Sequence, residues 1–208
     1  MTTVLLIWGF KVLYKSLSSG VFYCPHDGGD REYTLKQGRK WFTFFFIPLI
    51  PLKVLGEFVE CNTCKSGYDP KVLSQPTAAG MADKLANAVR AAAVAIINAD
   101  GQVSEQEKNV ALEIMAKYSD TPYAAQHLDA DLQQLTAADL DGALADVADM
   151  LSEQGKESLL DACVAIAAAD GAINDGELAL IERAGRGLGM TPAHLRGTID
   201  QARETYSA

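Results

Sequence analysis

A nine-residue segment occurs twice in this chain. Residues 99–107 read Ala-Asp-Gly-Gln-Val-Ser-Glu-Gln-Glu and residues 169–177 read Ala-Asp-Gly-Ala-Ile-Asn-Asp-Gly-Glu. Asp100, Gly101, Ser104 and Glu107 return 70 positions later as Asp170, Gly171, Asn174 and Glu177, and Ala93-Val94-Ala95-Ile96 returns as Cys163-Val164-Ala165-Ile166. A repeat at fixed spacing defines architecture before any single residue does. Each copy spells the same corner. An Ala-rich apolar run makes a helix, a glycine ends it in the left-handed conformation, and Ser104 or Asn174 caps the next helix. Glu107 and Glu177 follow three residues later, the capping-box spacing.

The same residues also read as ligands. On a calcium-loop template, Gly101 takes the central glycine and Glu107 the closing bidentate carboxylate. The first half of the template fails, because its first and third positions fall on Ile96 and Asn98 in one copy and Ile166 and Ala168 in the other. Calcium needs six to eight oxygens, which neither copy supplies alone. A divalent cation, Ca²⁺ or another, therefore requires Asp100, Glu107, Asp170 and Glu177 to converge from both corners, with Glu105 and Asp175 adding charge. Helix capping and a shared cation site both remain open from the sequence.

Charge divides the 208 residues unevenly. Residues 1–75 carry nine Lys/Arg against six Asp/Glu, +3, and residues 76–208 carry nine against twenty-one, −12. That asymmetry predicts two domains: a β module over 1–72, a linker over 73–80 and an all-α domain over 81–208. The acidic half repels nucleic acid and attracts cations or basic partners. No basic segment precedes Val4-Leu5-Leu6-Ile7-Trp8 and no small-residue cleavage site follows it, so no export signal is expected. The longest apolar run, Trp41 to Leu52, is too short for the roughly twenty residues that span a bilayer. The expectation is a cytoplasmic protein whose aromatic segment can touch a membrane surface.

In the basic half, Cys24-Pro25-His26-Asp27-Gly28 and Cys61-Asn62-Thr63-Cys64 lie 37 residues apart. Two such turns framing a strand-rich stretch are the layout of a zinc ribbon, each turn giving two ligands. Trp41 to Ile47 is aromatic and β-branched, and Pro48 and Pro51 restrict it to a bent or edge strand. The fourth ligand is open: Asp27 stands where a ribbon normally has cysteine, His26 offers an alternative, and loss of the site is the third reading. Without an export signal, zinc is favoured over disulfides. Cys163, in an Ala-rich helix, reads as a core thiol. Ile7-Trp8-Gly9-Phe10, the Cys24-Pro25 turn, the run Arg39 to Pro51 and Cys61-x-x-Cys64 together make residues 4–70 resemble a small bacterial zinc-ribbon family. That resemblance implies a structural module and no particular activity.

Beyond the Pro- and Ser-containing stretch 68–80, helical periodicity predicts seven helices over about 81–99, 104–118, 122–134, 137–153, 156–169, 175–188 and 192–205. His127 and His194 read as isolated surface residues, and Asp139, Asp141, Asp146 and Asp149 as a solvated face. The repeated Ala-Asp-Gly corners make residues 80–205 resemble the TerB-like family, associated with bacterial tellurite resistance and stress response. They also resemble the N-terminal region of some membrane-linked J-domain co-chaperones. The resemblance implies a seven-helix fold and a divalent-cation role for Asp100, Glu107, Asp170 and Glu177.

The fold expected is thus α+β and multidomain, a zinc-ribbon-like β module followed by a TerB-like helical bundle with an internal two-fold repeat. No phosphate loop, nucleophile elbow or His-Glu-x-x-His motif is present, and no small-molecule substrate is readable, so the chain is not expected to be an enzyme. The leading expectation is a metal-binding stress-response scaffold. The second is a protein–protein adaptor, with partners unidentified, whose acidic corners are only caps. The third, nucleic-acid binding through Lys36, Arg39, Lys40 and Trp41, is disfavoured by the acidic neighbour.

Overall fold

A computed structural model describes residues 8–99, 101–119 and 121–206. Asp100, and Val4 to Ile7 of the N-terminal apolar run, lie outside the described residues. The chain divides into two compact units, residues 1–80 and 81–208.

The first unit is an antiparallel sheet in the order β1 (Trp8–Cys24), β2 (Gly29–Phe44), β3 (Ile47–Cys61) and β4 (Gly67–Tyr68). A 3₁₀ turn, Pro70–Ser74, closes it and overlaps the start of the expected linker over 73–80, whose end is already part of the first helix, from Ala78. Its buried core is small: Phe22, Cys24, Val59 and Cys61, with Tyr33, Leu35, Cys64, Tyr68, Val72 and Leu73 packed around them. Beyond that core the three long strands run on as an arm. From Gly29 to Phe44, β2 extends roughly 50 Å at the rise of an antiparallel strand.

The sequence reading placed Trp41 to Ile47 in one strand. The structure instead turns at Phe45 and Phe46, which have φ of 48° and 67°. Two successive left-handed residues make a tight hairpin between antiparallel strands, so residues 41–44 end β2 and Ile47 begins β3. Nothing in a run of three phenylalanines announces that turn. The prolines are placed as their chemistry requires. Pro48 and Pro51 sit in the part of β3 that β4 does not reach, where β4 pairs only with Val59 and Glu60. The β2–β3 register is irregular around Arg39, Trp41 and Thr43.

The second unit is helical: α1 (Ala78–Ile97), α2 (Glu105–Tyr118), α3 (Ala125–Gln134), α4 (Ala137–Ala148), α5 (Glu153–Ala167), α6 (Asp175–Gly187) and α7 (Pro192–Tyr206). The Ala-rich α1 and α5 supply much of its core. Residues 91–94, 96 and 97 of α1, and Leu159, Leu160, Ala162 to Val164, Ile166 and Ala167 of α5, are all buried. Cys163 is among them, and burial pushes its thiol up to about 12, which leaves it inert. The expected fourth helix ran to 153. Observed, α4 ends at Ala148, and Ser152 starts α5 by accepting the Gly155 N–H at 3.2 Å.

Candidate metal centre

The two cysteine turns have the same backbone. In the first, between β1 and β2, the Gly28 N–H bonds to the Cys24 carbonyl at 2.9 Å, and Gly28 has φ 65°. In the second, between β3 and β4, the Lys65 N–H bonds to the Cys61 carbonyl at 3.0 Å, and Lys65 has φ 62°. Asp27 therefore occupies the position in its turn that Cys64 occupies in the other. Glycine suits the left-handed residue of the first turn.

The strand register brings both turns to one end of the sheet, where Cys24 pairs with Gly29 and Cys61 with Tyr33. There the donor atoms of Cys24, Asp27, Cys61 and Cys64 all lie within 4.8 Å of one another. The Cys24 and Cys64 sulfurs are 3.7 Å apart, and the Cys61 sulfur is 3.9 Å from Asp27 Oδ2. All four cysteines of the chain are free thiols. Two thiolates bound tetrahedrally at about 2.3 Å from one zinc ion stand about 3.8 Å apart, so the donor set and its spacing fit that ion. His26 stays outside this group: its side chain is 68% exposed and its Nδ1 is 3.4 Å from Asp27 Oδ1. Of the alternatives for the fourth position, the geometry gathers Asp27.

The surroundings tune these groups unequally. Burial pushes the Cys61 thiol up, whereas the Ser66 hydroxyl and backbone pull Cys64 down to about 6. A residue that sequence reasoning missed completes the cluster. The Tyr68 hydroxyl lies 3.3 Å from the Cys24 sulfur and 3.9 Å from that of Cys64, and the Cys24 contact, with burial, raises Tyr68 to about 12. A tyrosine four residues past Cys64 was the available signal. Arg31 Nε stands 3.5 Å from Asp27 Oδ2. Outer groups of this kind orient ligands and tune the metal.

The repeated corners are also built alike. Asn98 and Ala99 N–H bond to the Val94 and Ile96 carbonyls at 3.1 and 2.9 Å; Ala168 and Ala169 bond to those of Val164 and Ile166 at 2.9 and 3.1 Å. Gly101 and Gly171 have φ of 76° and 152°. Both capping boxes close: Glu107 N–H to Ser104 Oγ at 3.1 Å and Ser104 N–H to Glu107 Oε2 at 3.1 Å, then Glu177 N–H to Asn174 Oδ1 at 3.0 Å and Asn174 N–H to Glu177 Oε2 at 2.8 Å.

These caps are buried. Glu107 is 2% and Glu177 3% exposed. Burial raises the Glu107 carboxyl above its ordinary value against the lowering by the Ser104 N–H, and the charges of Asp170 and Glu177 raise it further. The two corners are thus electrostatic neighbours. They are also steric ones: a Cβ on Gly176 would come within 3.1 Å of the Ala99 carbonyl oxygen. A glycine where the first copy has Gln106 was the sequence mark of that approach. Asp100 lies outside the described residues, and Asp170 is exposed. Glu105 pairs with Lys108 at 3.2 Å with its side chain 80% exposed, and Asp175 is exposed.

The model of the family described as tellurite resistance protein TerB matches residues 86–198, more than half the chain. The chain belongs to the TerB family. Both corners fall inside the TerB segment, and the cysteine cluster falls outside it. No curated protein and no solved structure matches the chain.

Asp146 and Asp149 are exposed, as expected, and several other candidates are held by neighbours. His194, expected to stand alone, joins α7 to α5 through Glu157 at 2.6 Å and Glu153 at 3.3 Å. His127 Nδ1 accepts the Ala124 N–H at 3.1 Å. Asp139 accepts from the Thr136 N–H and hydroxyl at the start of α4, and Asp141 accepts from Arg183 Nε and Nη2 at 2.9 and 2.6 Å. Lys36 is held by Glu60 at 2.6 Å, and Lys40 stands 4.1 Å from the centre of the Phe10 ring.

Proposed function

We propose that this chain is a non-enzymatic, metal-binding stress-response scaffold of the TerB type. A structural zinc ion is held by Cys24, Asp27, Cys61 and Cys64 of a ribbon-like module, and a divalent cation by Asp100, Glu107, Asp170 and Glu177. The observation that carries it is the meeting of the two corners: a nearly inaccessible Glu107 whose carboxyl is raised first by burial and then by the charges of Asp170 and Glu177, with Gly176 of one corner against the Ala99 carbonyl of the other. Buried like charges are unfavourable unless neutralised, and a cation between them turns that repulsion into binding energy. The zinc assignment rests on the donor set and its sulfur spacing.

The capping boxes favour a second reading, a protein–protein adaptor, because they give both glutamates a sufficient structural reason to be there. One titration separates the two. Calcium and magnesium are added to the chelator-stripped full chain and followed by calorimetry and thermal denaturation. A ligand at a hundred times its dissociation constant stabilises by about 2.7 kcal/mol. Saturable heat and a raised Tm, both abolished in Glu107→Gln and Glu177→Gln, support the metal scaffold. Absence of heat and of any Tm change with either ion leaves the adaptor.

A further inference from the structure

Among the described residues, the far end of the β arm carries large apolar side chains that are mostly exposed. Trp8, Phe46 and Ile47 are 67%, 75% and 60% exposed, and Phe10, Leu49 and Ile50 are each more than half exposed. Residues 8–10 and 41–52 contain no charged side chain. Immediately behind them stands a band of cations. Lys11 pairs with Trp41, Lys40 with Val12, and Arg39 with both Leu13 and Val54, so Lys53 lies at the same level. Lys36 and Lys15 stand further back. In residues 8–20 and 36–56 there are six Lys/Arg and no Asp or Glu.

The turn at the tip adds an independent observation. Phe45 and Phe46 both take positive φ, a conformation that hairpins ordinarily give to Asn-Gly and that is unfavourable for a bulky side chain. Strain of this kind is found where function requires the residue. A recess of about 310 Å³ lined by Trp8, Gly9, Phe10, Lys11, Thr43 and Phe46 opens beside it.

We propose that this tip inserts into the surface of an anionic lipid bilayer, with Lys11, Arg39, Lys40 and Lys53 at the headgroup phosphates. The dimensions agree. Three to four residues of strand between the cation band and the turn reach roughly 10–13 Å. Interfacial elements bury their apolar part about 5–10 Å deep. Trp41 lies at the level of the cations, where tryptophan prefers the interface. Aliphatic Leu49, Ile50 and Leu52 suit hydrocarbon and offer nothing to a nucleic-acid base, which stacks on flat rings. A second copy is disfavoured by charge, since like cation bands would face each other, and by Pro48 and Pro51, which lie in the stretch of β3 that β4 does not pair and interrupt its run of donors.

The test uses the full chain and co-sedimentation with vesicles of phosphatidylcholine, with and without phosphatidylserine. Trp emission is read in parallel, since Trp8 and Trp41 are the only two tryptophans. Partition onto the phosphatidylserine vesicles with a blue shift is expected, falling as salt rises. Lys40→Gln with Lys53→Gln weakens it about 25-fold, about fivefold per cation. Phe45→Asn with Phe46→Gly keeps or raises the Tm, because it relieves the turn, and abolishes partition. Failure to partition, or partition unchanged in that double variant, overturns the proposal. So does retention by single-stranded oligonucleotide without vesicle binding, or a concentration-dependent dimer that the same variant dissolves.

Discussion

Asp27 and Glu107 are the carboxylates on which the two proposed sites turn, and each makes a distinct prediction. Asp27 shares the backbone position of Cys64, so Asp27→Cys should give a four-sulfur site. Cobalt(II) substituted into that variant should show stronger sulfur-to-metal charge transfer than in the wild type. Asp27→Ala should bind zinc more weakly by chelator competition, and Tyr68→Phe should lose about tenfold, the scale of an outer-shell contact. His26→Ala should change none of these, because its ring stands outside the cluster. If His26→Ala weakens zinc as much as Asp27→Ala, the assignment of the fourth ligand is wrong. Glu107 makes a pH prediction. Its folded carboxyl is raised above 4.5, so between the unfolded and folded values the native state binds more protons than the unfolded chain. Its contribution therefore falls as pH rises through that window and stays unfavourable above it. Melting the chelated protein across about pH 4.5–7 should show that Glu107→Gln, which keeps the capping acceptor, gains stability over the wild type as pH rises. Saturating cation should remove the difference by stabilising only the wild type. A wild-type-minus-variant difference that does not change with pH would sink this account.

Each corner is a stop followed by a start, and the start can be tested by itself. Ser104→Ala and Asn174→Ala each remove a side-chain acceptor for a helix N–H, and each should cost about 1 kcal/mol in denaturant unfolding. A loss in one copy and none in the other would mean that the two corners are not mechanical equivalents. At this scale the sequence was most legible where a local rule decides the outcome. Thr136, Asn174 and Thr191-Pro192 marked the starts of α4, α6 and α7, and Gly101 and Gly171 marked the ends of the corners. It was least legible where tertiary contact decides. Asp149 to Leu151 has helix-compatible composition, yet the chain leaves the helix there so that Ser152 can begin α5. The Phe45-Phe46 turn defies turn chemistry, and a single sequence offers no reason for it. His194 looked solitary because Glu153 and Glu157 lie about forty residues away on another helix. For the same reason the four thiol and carboxylate donors were identifiable by spacing, whereas Tyr68 needed the fold to reach the Cys24 sulfur.

The two units differ sharply in how much core each owns, and this decides what metal removal should do. The helical unit buries some thirty apolar residues, none of them in the cysteine cluster. In the β unit the buried core is Phe22, Cys24, Val59 and Cys61, so half of it consists of proposed zinc ligands. A core that small rarely holds a domain without a metal or a disulfide; the four cysteines form no disulfide, so the proposed zinc is the support to test. No helix among the described residues is long and apolar enough to cross a membrane. Stripping zinc with a strong chelator should therefore unfold the β unit and leave the helices standing. Both tryptophans lie in the β unit and most of the helical content lies in the other, which separates the signals. Tryptophan emission should shift and near-UV dichroism collapse while the far-UV helical signal is kept, and zinc should restore the former. Cys61→Ser should show the stripped spectrum even in excess zinc. If both signals are lost together, the two units fold as one and the metal supports the whole chain; if neither changes, the cysteine cluster is not what holds the β unit.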